Sequence, residues 1–208
     1  MRAVIISDTH GFHRSVKMPE GDMLIHAGDI TMSGEIETLK DFNDWLGSMP
    51  YEFKIVIAGN HDFCFEHDRE NSENILTNCI YLHDSGIDIG GIKFYGSPWQ
   101  PWFFDWAFNL QRGPEIRKMW DKIPYDTDVL VTHGPPAGYG DLTKRDEKVG
   151  CADLLDVINN IKPKFHIFGH IHEGHGAVIG QSTAFINAST CTARYKPTNN
   201  PIVIDLKG

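Results

Sequence analysis

Basic residues are in short supply in this chain. Its 19 lysines and arginines face 28 aspartates and glutamates, a net charge of −9. That balance excludes a protein holding long nucleic acid through a general basic surface, because phosphate contacts need clustered positive charge. Phosphate can still bind locally where metal ions invert a site's charge; two divalent ions against two carboxylates leave a surplus of roughly +2. Cysteine is sparse as well. Cys64, Cys79, Cys151 and Cys191 stand far apart with no C-x-x-C pair, which excludes a disulfide framework and reads as reduced thiols. No apolar run approaches the roughly 20 residues of a membrane span. The run after Met1 is too short for a signal peptide. Linkers, repeats and low-complexity segments are also missing. A soluble, cytoplasmic protein folded as a single domain over residues 1–208 is expected, and its 41% hydrophobic residues suffice for a full core.

What the chain does have is a series of short apolar runs that each end in Asp, Asn or His. Val4–Ile6 leads to Asp8-Thr9-His10, Met23–Ile25 to Gly28-Asp29, and Ile55–Ile57 to Gly59-Asn60-His61-Asp62. Val129–Val131 leads to His133, and Ile167-Phe168 to Gly169-His170-Ile171-His172. Strands that deliver ligands to one sheet edge produce this pattern, since open α/β sheets bind at the carboxyl ends of their strands.

Helices separate the runs. Ser33 is a suitable N-cap for a helix carrying the stripe Ile36, Leu39, Phe42 and Leu46, with Glu35 and Glu37 in its first turn. A short helix includes Asn74 to Leu76. Pro114 fits the first position of a helix with Ile116, Met119 and Trp120, and Ala152–Ile161 is amphipathic and closed by Pro163. Ile80–Leu82, Ile87–Ile89 and Ile92–Tyr95, punctuated by Gly86, Gly90 and Gly91, suggest hairpins in a second, partly antiparallel sheet. Ala184–Asn187 and Ile202–Leu206 finish a sheet. The expected class is α/β, two packed sheets with helices outside.

Asp8, His10, Asp29, Asn60, His133, His170 and His172 make seven candidate ligands, too many for one ion with an open position and comfortable for two. Carboxylate, amide and imidazole donors without thiolate favour manganese, iron, zinc or nickel over a structural zinc finger. A carboxylate can bridge two ions about 3.5–4 Å apart, the separation that clamps both sides of a phosphoryl displacement.

The ordered motifs D-x-H, G-D, G-N-H-D, H and G-H-x-H resemble those of the calcineurin-like metallophosphoesterase superfamily. The fuller strings His26–Thr31, Ala58–Asp62, Thr132–Pro136 and Phe168–Glu173 look like its metallophosphoesterase-domain (brain-239-type) branch of phosphodiesterases. The resemblance runs from residue 4 to about residue 190. It implies a four-layer sandwich of two mixed sheets flanked by helices, with a dinuclear site at the strand C-terminal ends. It also implies that Asp8, His10 and His172 hold one ion, Asn60, His133 and His170 the other, and that Asp29 bridges. Two divalent transition-metal ions follow, manganese first, with a shared hydroxide as nucleophile. His61 would contact the substrate phosphate or protonate the leaving group, oriented by Asp62. Some relatives in this branch replace the first histidine of G-H-x-H with glycine; His170 is present here.

Protein phosphatases of the superfamily read G-D-x-V-D-R-G and G-N-H-E, whereas this chain reads Gly28-Asp-Ile-Thr-Met-Ser-Gly34 and Gly59-Asn-His-Asp62. A phosphoprotein substrate is therefore not expected. The expected activity is hydrolysis of small-molecule phosphodiesters, cyclic nucleotides among them. A phosphomonoesterase or nuclease with the same centre, or a non-catalytic scaffold, is the alternative. No membrane partner is expected, and a homodimer stays open.

Several residues have plainer readings. His26 is either a buried, satisfied histidine or a support for the ligands. His13, His67 and His83 read as surface or loop residues, His175 as a loop hydrogen-bonder and His166 as structural. The aromatic segment from Trp99 to Phe108 could be a base-stacking platform near the site or equally a core hairpin or dimer patch; core or interface comes first, with one or two residues reaching the pocket. Asn187-Ala-Ser189 could line the site, with a strand-end turn as the plainer account.

Overall fold

Strict alternation between two hydrophobic clusters decides the architecture. Ala3 and Ile5 of the first strand face one hydrophobic cluster while Val4 and Ile6 face another, and all four are fully buried. A strand apolar on both faces must lie in an inner layer. The computed structural model describes residues 1–207. In chain order the elements are β1 (Arg2–Ile6), β2 (Met23–Ala27), α1 (Ile36–Ser48), β3 (Phe53–Ile57), α2 (Phe63–His67), α3 (Arg69–Ile75) and β4 (Ile80–Tyr81). Then come β5 (Ser85–Ile89), β6 (Ile92–Ser97), β7 (Gln100–Pro101), β8 (Asn109–Leu110), α4 (Pro114–Trp120) and β9 (Val129–Thr132). The last are α5 (Ala152–Ile161), β10 (Phe165–Phe168), β11 (Gly176–Ile179), β12 (Ala184–Asn187) and β13 (Ile202–Asp205).

One sheet has the order β13-β1-β2-β3-β4, parallel apart from β13; the other has the order β11-β12-β10-β9-β6-β5, with antiparallel edges β5 and β11. Between them lies a core of Ile5, Ile25 and Ile57 from the first sheet and Phe94, Val131, Ile167 and Ile186 from the second. Leu39, Phe42, Trp45 and Leu46 of α1 cover the outer face of the first sheet. Ile116 and Trp120 of α4 and Leu154, Val157 and Ile158 of α5 cover that of the second. Each such side chain contributes about 1.5–3 kcal/mol by leaving water. The result is the expected helix–sheet–sheet–helix sandwich. Among the described residues no helix is long and apolar enough to cross a membrane.

Two local expectations are corrected and one is extended. Ser33 is not the N-cap of α1: Glu35 occupies that position, and its carboxylate accepts from the Met32 and Ser33 amides at 3.1 and 3.0 Å. The short helix expected to include Asn74 to Leu76 is present, spanning Arg69–Ile75 with Leu76 as its C-cap; the Asp68 carboxylate accepts from the Asn71 amide at its start, and α2 precedes it. Ile80–Tyr81 does not join the hairpin sheet but pairs in parallel with β3 at the edge of the first. Only β5 and β6 form the hairpin.

Candidate metal centre

Every ligand candidate sits just past a strand end, and several need a backbone that side chains resist. Asp8, His10, Asp29 and His170 have φ of 53°, 44°, 58° and 65°, in the left-handed region. Such strain concentrates where a fold must aim functional groups. The turns are held against one another: the Asp8 amide donates to Gly28 O at 2.9 Å and the His10 amide to Asp29 O at 3.0 Å. Two glycines are there for space. A Cβ on Gly59 would collide with Asp29 Oδ1, and one on Gly169 with Asp8 Oδ2.

The seven candidates come together as two overlapping groups. In one, His172 Nε2 lies 3.2 Å from Asp8 Oδ1 and 3.4 Å from His10 Nε2, and His10 Nε2 lies 3.8 Å from Asp29 Oδ2. In the other, His133 Nε2 lies 3.3 Å from Asp29 Oδ2 and 2.9 Å from Asn60 Oδ1, which is also 2.7 Å from His170 Nδ1. Asp29 belongs to both.

The donor chemistry fits a cation. Nδ1 of His10, His133 and His172 faces the carbonyl oxygens of Thr31, Ala27 and Thr192 at 3.2, 2.9 and 2.9 Å. A carbonyl only accepts, so each Nδ1 carries the hydrogen and each Nε2 turns a lone pair inward. Lone pairs of His10 and His172 facing each other are repulsive unless a cation or a proton sits between them. The titration tendencies express the same demand. Burial pulls His133 and His172 down, yet Asp29 beside the first and Asp8 beside the second lift each to about 9. Burial would raise Asp8 and Asp29, but the surrounding histidines hold both well below the ordinary carboxylate range. Burial and the neighbouring His133 push His170 down to about 3. The carboxylates stay ionised and the cluster draws positive charge.

His61 faces the same opening. Its Nδ1 lies 2.6 Å from Met32 O, its Nε2 4.0 Å from Asp29 Oδ2, and its backbone amide donates to Asp29 Oδ1 at 2.8 Å. With His10 and Asp29 it also forms a group with metal-ligand spacing. The expectation that Asp62 orients His61 is corrected. The Asp62 carboxylate takes the Gly59 and Thr31 amides at 2.8 Å, the Thr31 hydroxyl at 2.9 Å and the Ile30 amide at 3.2 Å. It clamps the two ligand loops together and leaves the imidazole alone. Burial and the Asp29 charge raise it to about 6, against those hydrogen bonds.

Both readings of His26 hold. It is fully buried, and its Nε2 lies 2.9 Å from Thr9 Oγ1 while its Nδ1 accepts from the Gly28 amide at 3.3 Å, so it braces the loops bearing Asp8 and Asp29. His13 is not a surface residue: it is buried under α1 and bonds Asp41 at 3.0 Å. His166 is structural, with Nε2 on the Thr132 hydroxyl at 2.8 Å. Asn187 and Ser189 do more than end a strand. Ser189 Oγ donates to Asp8 Oδ2 at 3.0 Å, and Asn187 Nδ2 donates to Ile171 O at 2.8 Å.

A cavity of about 510 Å³ opens over Asp29, Asn60, His61, His170 and His172. The aromatic segment divides here. Trp99 and Phe108 pack into the core, whereas Trp102, Phe103, Phe104 and Trp106 line the cavity, more than the one or two residues expected. Tyr195, which no sequence motif marks, closes the other side.

The profile of the family described as Calcineurin-like phosphoesterase matches residues 1–174. The chain is 46% identical over 230 residues to a Homo sapiens protein called Metallophosphoesterase domain-containing protein 1, covering 99% of this chain and 71% of that one. Among solved structures, TT1561 of Thermus thermophilus matches with a TM-score of 0.60 at 12% identity, over 89% of this chain and 88% of that one. A structure described as a novel archaeal phosphodiesterase matches with a TM-score of 0.51 at 16% identity, over 98% and 100%. At these identities the two structures speak for the fold alone.

Proposed function

The chain belongs to the calcineurin-like phosphoesterase family of metal-dependent phosphoester hydrolases, and from that premise we propose that it is a phosphodiesterase acting on small molecules. The observation that carries this reading is the convergence of three inward-facing Nε2 atoms, fixed by carbonyls, on Asp8, Asp29 and Asn60. Asp8, His10 and His172 would hold one ion and Asn60, His133 and His170 the other, with Asp29 between them. Manganese is the first candidate, and iron, zinc and nickel suit the same donors. Bound ions would supply Lewis acidity, a nucleophile from water and charge neutralisation at phosphorus.

The chain's own residues do the rest. Asp8 and Asp29 stay ionised and fix the charge of the centre. Ser189 and the His170 amide hold the Asp8 carboxylate still, the latter at 3.0 Å. His61, with Nδ1 engaged by Met32 O, can carry a second proton on Nε2 toward the opening, where a leaving oxygen would receive it. The size of the cavity supports a small-molecule substrate, and the charge of −9 counts against long nucleic acid. The phosphatase arginine is missing after Asp29, which favours diesters over phosphoproteins.

Bis-p-nitrophenyl phosphate, p-nitrophenyl phosphate and a phosphopeptide, assayed with manganese and again with chelator, test the proposal. Metal-dependent diester turnover is expected. Efficient phosphopeptide turnover without diesterase activity would refute it. If diesters prove active, cyclic nucleotides are the first natural class to assay.

A further inference from the structure

We infer that Trp106 and Tyr195 are the two jaws of the cavity mouth, and that they select phosphoesters whose organic group is a flat aromatic ring. This rests on the phosphodiesterase reading and adds to it a substrate class. Trp106 lies against His61 with ring centroids 4.2 Å apart. Tyr195 approaches from the other side, its ring 4.9 Å from His10, 5.7 Å from His172 and 6.2 Å from His61. An ester whose phosphorus sat over Asp29 would extend its remaining group into the cavity that these two rings line. Beyond Trp106 the wall continues through Trp102, Phe103 and Phe104, which are 52%, 51% and 64% exposed. Large aromatic faces left in water beside a reactive centre are a binding surface for apolar ligand groups.

Tyr195 is held there at a cost. Its φ is 54°, in the left-handed region, and its amide donates to Thr192 O at 2.8 Å. That same carbonyl accepts from His172 Nδ1 at 2.9 Å. One peptide oxygen therefore sets both a ligand's tautomer and the turn that presents the tyrosine. Backbone strain kept next to a site and not needed by the core points to a role in the site. Tyr195 also lies past residue 174, where the family profile stops. The motifs shared with the family supply the chemistry, and this later turn supplies selection.

The test uses two diesters with one leaving group, p-nitrophenyl phenyl phosphate and p-nitrophenyl methyl phosphate, on manganese-loaded protein. The phenyl ester should be favoured about tenfold in kcat/KM, mainly through KM, as expected of one aromatic contact. Tyr195→Ala should reduce the preference to within about twofold, and Tyr195→Phe should keep it, since the ring face and not the hydroxyl is used. Tyr195→Leu keeps bulk over His10 and His172, so it should bind the same number of manganese ions as the unaltered protein and still lose the preference. Calorimetry with phenylphosphonate and methylphosphonate reads the same selection without turnover. A protein that prefers phenylphosphonate yet hydrolyses neither diester would refute the phosphodiesterase reading and uphold this one. Equal affinity for the two phosphonates, or a Tyr195→Ala variant that loses both diesters in equal proportion, would overturn it.

Discussion

At the scale of single residues, Asp29 and His170 should behave differently when changed. Asp29 touches both ligand groups, so Asp29→Asn should weaken both ions, while His170→Ala should mainly empty the site shared with Asn60 and His133. Metal titration separates the two, and tight binding of both ions by Asp29→Asn would rule out the bridge. His61→Ala should keep its ions and fold but lose roughly 10²- to 10⁴-fold in turnover if the ring acts as an acid. That loss should shrink with good leaving groups; an equal loss on poor and good ones would make His61 a clamp on phosphate instead. The seven ligand candidates were legible because each lies one turn past an apolar run. Asp62 was legible as a motif member, but its role was not. Which donors surround a carboxylate depends on loops 30 residues apart meeting, here at Thr31 and Gly59. Tyr195 left no trace in the pattern, because a lone tyrosine in a polar turn looks like any exposed residue.

At the scale of elements, the continuous apolar run of β1 and the spacing of α4 and α5 could be read directly from the chain. β4 could not. Two residues, Ile80 and Tyr81, carry no mark of which sheet they extend, and parallel pairing with β3 is decided by tertiary packing. The start of α1 depends on tertiary detail in the same way: the Glu35 carboxylate reaches back to the Met32 and Ser33 amides, and the helix begins at Ile36, too late for Ser33 to cap it. Inside β10, His166 makes acid a stress on the fold. Burial lowers it from 6.5 to about 3, and its Nδ1 has no partner. Because the folded state keeps it neutral, its stabilising contribution is present above pH 6.5 and is lost as pH falls from 6.5 toward 3, by up to about 1.4 kcal/mol per pH unit. Urea unfolding of metal-free protein at about pH 7.5 and about pH 5 should show a smaller pH dependence for His166→Gln than for the unaltered chain. Parallel dependences would contradict this.

At the scale of the whole molecule, the ligands divide between the sheets. β1, β2 and β3 lead to Asp8, His10, Asp29 and Asn60, and β9 and β10 lead to His133, His170 and His172. Ions bound there would pin one sheet to the other across their shared edge. At a free concentration roughly one hundred times Kd, one ion adds about 2.7 kcal/mol of stability, which for a domain of this size raises Tm by roughly 5–10 °C. Calorimetry with manganese and then with chelator reads the shift; an unchanged Tm would mean that manganese does not bind the folded chain in preference to the unfolded one.

That division also fixes a timetable. As the chain is synthesised, the residues through Thr132 carry both carboxylates and the amide but only one of the four candidate histidine ligands. The centre cannot be completed until His172 has left the ribosome and β10 has paired beside β9. A complete centre would therefore follow the pairing of β10 and could not seed the fold, and chains stalled before residue 133 should fail to retain radioactive zinc that finished chains hold.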